Sequence, residues 1–171
     1  VDGGSSDGTI ELLTDWSSRQ SWITFISEPD FGIYHALNKG LHRASGEYYV
    51  VVGSDDELNP EALKLYADAA ADRRCDVVLA KVLKGDRVAG GFFPSRGWLG
   101  HQQVFRGSHS VGMLFKKSLH ERFGKYSNRF PMLADGYFLK KLLRSRDVRF
   151  VQADFVAGRF CTAGLSSTGK L

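Results

Sequence analysis

The spacing of apolar and polar residues along the chain changes period several times, and each change marks an element. Ser5, Ser6 and Asp7 place side-chain acceptors ahead of Ile10, Leu12 and Leu13, which predicts a loop and then a helix from Gly8 to about Trp16. Residues 22–26 are β-branched and aromatic and run into Ser27-Glu28-Pro29-Asp30, a short strand followed by a polar loop. Between Gly32 and Ala44 the apolar residues Ile33, Leu37, Leu41 and Ala44 share one helical face, and Gly46 ends the pattern. Residues 48–52 form a nearly unbroken apolar run, the signature of a parallel strand buried on both faces, broken by Gly53-Ser54-Asp55-Asp56. Pro60 opens a third helix with Leu63, Tyr66, Ala67 and Ala70 turned inward, and residues 76–82 return as a strand. This alternation predicts an α/β fold with a mostly parallel central sheet and flanking helices.

The texture changes beyond Lys84. Residues 88–93, 97–105 and 111–115 are short, glycine-punctuated and aromatic, which predicts hairpins and a long loop. Helical patterns return at 117–123 and 134–144, strands are expected at 148–152 and 155–160, and the small polar residues 163–169 read as a mobile loop. The opening Val1-Asp2-Gly3-Gly4 reads as the end of a buried strand entering a loop, so the chain is expected to lack the N-terminal strand and helix of its domain.

At 171 residues, 43% of them hydrophobic, the chain can bury one core, which excludes a disordered chain. A formal charge of +4 suits an anionic partner. The cations are scattered, with no basic tract interleaved with aromatics, so nucleic acid is not an expected partner. Cys75 and Cys161 lie far apart and form no CxxC, which indicates neither a disulfide framework nor a zinc site and favours a reducing, cytoplasmic setting.

In open α/β sheets ligands bind beyond the carboxyl ends of the strands, and three acidic loops are expected at that edge: Asp2 to Asp7, Glu28 to Asp30, and Asp55-Asp56. Capping of a following helix is the plainer role for Asp7. An acidic pair just past a buried strand sets like charges close together, a repulsion that a hard cation bridging them to diphosphate oxygens would relieve.

Four ordered segments carry a resemblance: Val-Asp-Gly-Gly-Ser-Ser-Asp-Gly-Thr at 1–9, Glu-Pro-Asp-Phe-Gly-Ile-Tyr-His-Ala-Leu-Asn-Lys-Gly at 28–40, Ala-Ser-Gly-Glu-Tyr at 44–48 and Gly-Ser-Asp-Asp-Glu-Leu at 53–58. Together they resemble the motifs of bacterial family 2 glycosyltransferases of the surface-polysaccharide type. Ala134-Asp135-Gly136-Tyr137-Phe138 is similar to that family's Ala-Asp-Tyr-Asp segment without its second Asp, and Ala163-Gly164-Leu165-Ser166 to its Gly-Gly-Leu-Ser loop. The resemblance implies a GT-A fold, with residues 1–83 as a Rossmann-like nucleotide-sugar-binding half and 84–171 as the acceptor-binding and catalytic-base half. It implies that Asp56 holds Mg²⁺ or Mn²⁺, that Asp55 shares the metal or meets the ribose, and that Asp2 and Asp30 line the base and ribose pocket. Asn38 and Lys39 would approach the nucleotide, although a solvated helix face serves Lys39 as well. Asp135 would be the base that deprotonates the acceptor hydroxyl, giving inversion at the anomeric carbon; the alternative is a carboxylate placed for the helix dipole. His109 and Trp98 are candidate substrate contacts, with structural roles for both left open.

The implied activity is an inverting, metal-dependent hexosyl transfer from a nucleotide-diphosphate sugar to a saccharide or lipid-linked acceptor, in cell-surface polysaccharide synthesis. The setting is cytoplasmic, with peripheral docking on the inner face of the plasma membrane through the basic surface and loop aromatics. A non-catalytic nucleotide-sugar-binding or scaffold domain derived from a transferase, and a sugar nucleotidyltransferase, are the competing readings. A phosphatase using Asp7-Gly8-Thr9 is disfavoured because its nucleophile position holds Ser5.

Overall fold

The computed structural model describes residues 1–71, 74–91 and 109–161. It divides into two compact units: Val1–Ser45 with Lys125–Asp135, and Gly46–Gly124 with Gly136–Leu171.

The first unit is built on helices α1 (Thr9–Arg19) and α2 (Ile33–Arg43). The N-cap of α1 is Gly8, not Asp7; Asp7, one residue earlier, accepts hydrogen bonds from the Thr9 amide (3.2 Å) and hydroxyl (2.6 Å) and so steadies the entry to the helix without capping it. Gly32 begins α2 at φ 108°, ψ 172°, a backbone region closed to side chains. The strand expected at 22–26 does not form. A single parallel bridge joins Asp2 to Ser27, and Trp22 is 77% exposed. On α2 the expected face is half-buried at Leu37, Leu41 and Ala44, but Ile33 is exposed and the buried residue is Tyr34.

The second unit contains a six-stranded sheet: β1 (Tyr48–Val50), β2 (Glu57–Leu58), β3 (Val77–Lys84), β4 (Arg87–Gly90), β5 (Met113–Lys116) and β6 (Phe150–Phe160). The strand order is β1-β5-β3-β6-β2, with β4 also paired to β3. Among the described strands only β3 and β6 run parallel; β1–β5, β5–β3, β3–β4 and β6–β2 are antiparallel. The α/β class holds, while the expectation of a mostly parallel sheet is corrected for these strands. The tight β3–β4 hairpin at Gly85 agrees with the hairpins expected beyond Lys84, and β5 then returns antiparallel to β3.

The strand buried on both faces is β3, where Val77, Val78, Leu79 and Ala80 are at most 2% exposed. The run at 48–52 is instead half-buried and yields only the three-residue β1. Helix α3 (Ala62–Ala69) brings Ala62 and Tyr66 into the core, with Ala70 just past its end, whereas Leu63 and Ala67 face outward, one position off the expected stripe. The Tyr66 hydroxyl donates to the Val111 carbonyl at 2.7 Å, satisfying the one polar atom that a buried tyrosine carries. The two strands expected at 148–152 and 155–160 form one continuous β6, with register shifts opposite Leu79 to Val82.

Short helix α4 (Leu119–Phe123) and helix α5 (Ala134–Arg144) complete the described elements. His120 stacks on Phe138 (ring centroids 4.2 Å apart, 6° between planes) and lies between the Gly124 carbonyl (3.1 Å from Nδ1) and the Tyr49 hydroxyl (2.6 Å from Nε2). A carbonyl only accepts, so Nδ1 carries the proton and Nε2 receives the tyrosine's. Burial pushes the His120 pKa below its ordinary value of 6.5. No helix among the described residues is long and apolar enough to cross a membrane.

Two outcomes follow for stability. At Gly158 an added Cβ would run into the Glu57 carbonyl oxygen and Val111, so Gly158→Ala should cost about 1–3 kcal/mol, read from urea unfolding midpoints. His120 resists protonation when folded but accepts a proton near pH 6.5 when unfolded. The stability it contributes is therefore fully present above that pH and is lost as the pH falls through and below it. Unfolding midpoints should drop over that range, and His120→Phe should flatten the drop.

Candidate functional site

The acidic loops organise the first unit locally. Asp2, 8% exposed, accepts at Oδ2 from the amides of Gly4 (2.8 Å) and Ser5 (3.0 Å) and the hydroxyl of Ser27 (2.6 Å), while the Ser5 hydroxyl reaches Oδ1. These donors, Ser27 foremost, hold its carboxyl well below the usual carboxylate range. The Asp2 side chain therefore shapes the turn from Gly3 to Ser5. Asp30 accepts the Gly32 amide at 2.8 Å through Oδ1, and its Oδ2 would lie 2.8 Å from a Cβ placed on Gly3. Only glycine at position 3 lets the Asp30 carboxylate come this close to the loop that Asp2 holds in shape.

Asn38 and Lys39 are occupied within the same unit. Asn38 donates through Nδ2 to the Tyr126 carbonyl (2.9 Å) and accepts the Tyr126 amide through Oδ1 (3.1 Å), a reciprocal clamp on the backbone of one residue. Lys39 reaches the Pro29 carbonyl at 2.9 Å and Glu28 at 2.9 Å, and its hydrogen bond lowers the Glu28 pKa. Lys39 thereby fastens the loop that carries Asp30 to the middle of α2.

Asp135 lies in the first turn of α5, exposed, as its motif suggested. The Tyr34 hydroxyl donates to its Oδ1 at 2.6 Å. Tyr34 is 7% exposed, and its ring packs against that of Tyr126, with centroids 5.8 Å apart. Burial first, and then the adjacent carboxylate, raise the Tyr34 pKa, so the phenol remains a donor. The sequence reading did not single out Tyr34. The available signal was its position four residues before Asn38, on the same face of α2.

In the second unit the acidic pair turns back on its own loop. A Cβ on Gly53 would stand 2.9 Å from Asp56 Oδ2 and 3.0 Å from Asp55 Oδ1, so both carboxylates flank that glycine. The Asp56 side chain is 4% exposed and accepts the Cys161 amide at Oδ1 (3.2 Å) and the Gly53 amide at Oδ2 (3.3 Å). Asp55 is exposed. His109 Nδ1 stands 3.9 Å from Asp56 Oδ2, outside hydrogen-bond reach, and its ring lies against Phe160 with centroids 3.8 Å apart. Lys84 sits 5.2 Å from the centre of the Phe160 ring. The structure thus groups Asp55, Asp56 and His109 with Gly53 of the same motif, and adds Phe160 and the Cys161 amide, which no local pattern marked because they come from the end of β6 and the residue after it, Cys161 being 105 positions from Asp56. Among the described residues no three His, Cys, Asp or Glu side chains cluster as a metal cage. Trp98 and the loop at 163–166 lie outside the described residues.

The chain matches the profile of Glycosyl transferase family 2 over residues 1–149. It is 28% identical over 81 residues to the cholesterol galactosyltransferase of Borreliella burgdorferi, an alignment covering 47% of this chain and 23% of that protein. It is 34% identical over 86 residues to the chondroitin synthase of Escherichia coli, covering 50% and 12%. With a PGL/p-HBAD biosynthesis glycosyltransferase of Mycobacterium tuberculosis it shares 27% identity over 148 residues, covering 81% and 54%. Two crystal structures of S. aureus TarS, with UDP-GlcNAc and with UDP, superpose with TM-scores of 0.73 and 0.68 at 18% and 19% identity. They cover 99% and 93% of this chain and 51% and 49% of TarS, a likeness of fold. The chain therefore spans about half of TarS, and 12% to 54% of these three curated relatives. With most of its length matched by the family profile and a GT-A architecture to go with it, the chain belongs to glycosyl transferase family 2.

Proposed function

We propose that this chain is part of an inverting glycosyltransferase that moves a hexosyl group from a UDP-sugar to a hydroxyl of a saccharide or lipid-linked acceptor in cell-surface polysaccharide synthesis. The setting would be the cytoplasm, peripherally at the inner face of the plasma membrane. The observation that carries the reading is the acidic pair beside Gly53, with Asp56 held by two backbone amides and Asp55 left exposed. Family membership and the UDP and UDP-GlcNAc complexes of TarS support the donor class. Relatives named for a sterol galactosyl transfer and for a polysaccharide synthase support a hydroxyl-bearing acceptor.

The residues fit a hard divalent cation, Mg²⁺ or Mn²⁺. Two carboxylates side by side offer oxygen donors, and each Asp56 oxygen, with one N–H bonded, retains a second acceptor position. Such cations use one or two protein carboxylates and complete their shell with substrate phosphates and water. Asp56 and Asp55 would hold the ion, which when bound supplies Lewis-acid neutralisation of the leaving diphosphate. In the transfer itself, the acceptor hydroxyl gives its proton to the Asp135 carboxylate as its oxygen bonds to the anomeric carbon. The bond from that carbon to the diphosphate oxygen breaks, and its electron pair leaves with UDP. Attack from the face opposite the leaving group inverts the anomeric centre. Asp2 and Asp30 would border the base and ribose, with Asp2 contributing mainly by holding the loop. Lys39 and Asn38 would act indirectly, by fixing the loops they touch, and His109 and Trp98 would face substrate.

Calorimetric titration of the full-length protein with UDP and Mn²⁺ tests this reading. Asp56→Asn should weaken metal-dependent UDP binding by on the order of 100-fold, corresponding to the loss of a few kcal/mol of charge interaction. Asp135→Asn should bind UDP normally and lower kcat by roughly 100-fold to 10,000-fold. Metal-independent UDP binding would remove the metal assignment, and no binding at all would favour the scaffold reading.

A further inference from the structure

We infer that Tyr34 is a positioning residue for the acceptor-activating carboxylate: its buried hydroxyl fixes the side-chain orientation of Asp135. The inference rests on Asp135 being the base.

A carboxylate exposed in the first turn of a helix can occupy several rotamers, and a base must present its oxygen within hydrogen-bond reach of the proton it takes. The 2.6 Å contact from Tyr34 is a charge-assisted hydrogen bond, the strong class for an O–H donor on a carboxylate. Its donor cannot wander. The Tyr34 ring is 7% exposed and rests on Tyr126, and one helical turn further along α2 Asn38 grips both sides of the Tyr126 peptide. Positions 34 and 38 thus form a two-rung ladder on one face of α2. The lower rung fixes the start of the 125–135 segment, and the upper rung fixes its end, where Asp135 stands. All of these contacts lie within the first unit.

Two alternatives make different demands. A tyrosine serving as the base itself would need to ionise readily, but burial and the neighbouring carboxylate raise the Tyr34 pKa and keep its proton in place. A tyrosine present only to fill the core would need its ring and not its hydroxyl, and the hydroxyl is the atom aimed at Asp135. Phenylalanine at 34 keeps the packing and deletes the contact.

The test compares full-length wild type, Tyr34→Phe, Asp135→Asn and the double variant. UDP release from UDP-GlcNAc, UDP-glucose and UDP-galactose is measured with water as the acceptor, UDP affinity by calorimetry, and thermal midpoints as the control for folding. We expect Tyr34→Phe to bind UDP within about twofold of wild type and to lose about 10-fold to 100-fold in kcat, the scale of a misplaced reacting group. In the Asp135→Asn background the same substitution should cost nothing further. An equal loss in both backgrounds, a loss confined to UDP affinity, or a Tyr34→Phe rate at the wild-type level would overturn the inference. Wild-type turnover by Asp135→Asn would instead remove the base assignment itself. Should Tyr34→Phe lower the thermal midpoint below the assay temperature, the four rates are compared at a temperature where all are folded, and the same outcomes decide.

Discussion

The pairing of β3 with β6 is the interaction on which the second unit depends. The core of β3 is apolar on both faces, so both of its edges must be hydrogen-bonded by other strands if no backbone group is to be buried unpaired. β5 and β4 take one edge in succession and β6 takes the other along nearly its whole length. β6 is therefore long, and its length has a chemical consequence. It pairs with β2 at Gly158, where an added Cβ would meet the Glu57 carbonyl, and its end brings Phe160 against His109 and the following Cys161 amide to Asp56. A strand recruited to satisfy β3 thus also builds one wall of the acidic pair.

Carboxylates do two kinds of work in this chain. Asp2 and Asp56 are nearly enclosed, and backbone amides surround them, which is how a buried negative charge is made tolerable without a cationic side chain. Asp55 and Asp135 are exposed, one beside Gly53 and the other in the first turn of a helix where negative charge is favoured. The enclosed members hold loops in shape; the exposed members face the medium from which substrates come. Each acidic motif pairs one function with the other: Asp2 orders the loop that meets Asp30, and Asp56 orders the loop that carries Asp55.

Much of this was legible in the residues. The helices at 9–19, 33–43, 62–69, 119–123 and 134–144 follow from periodicity and from glycine and capping signals, which act within a few residues. The acidic pair after an apolar run and the Asp at the start of α5 were visible as motifs. The short strand at 22–26 and the central place of residues 48–52 were misjudged, because an apolar run reports burial without naming the partner that provides it. The sense of strand pairing was misjudged for the same reason, since an apolar run does not name the strand beside it; the turn at Gly85, in contrast, lies where hairpins were expected.

The sequence by itself determined the family, the α/β class and the position of the carboxylates along the chain, because these depend on residue identity and short-range spacing. Only the tertiary structure decided which strand is central, that Asn38 and Lys39 fasten loops, and that Tyr34 holds Asp135. Those outcomes join residues 10 to 101 positions apart, where the closing of hydrogen bonds around buried groups, and not any local preference, selects the partner.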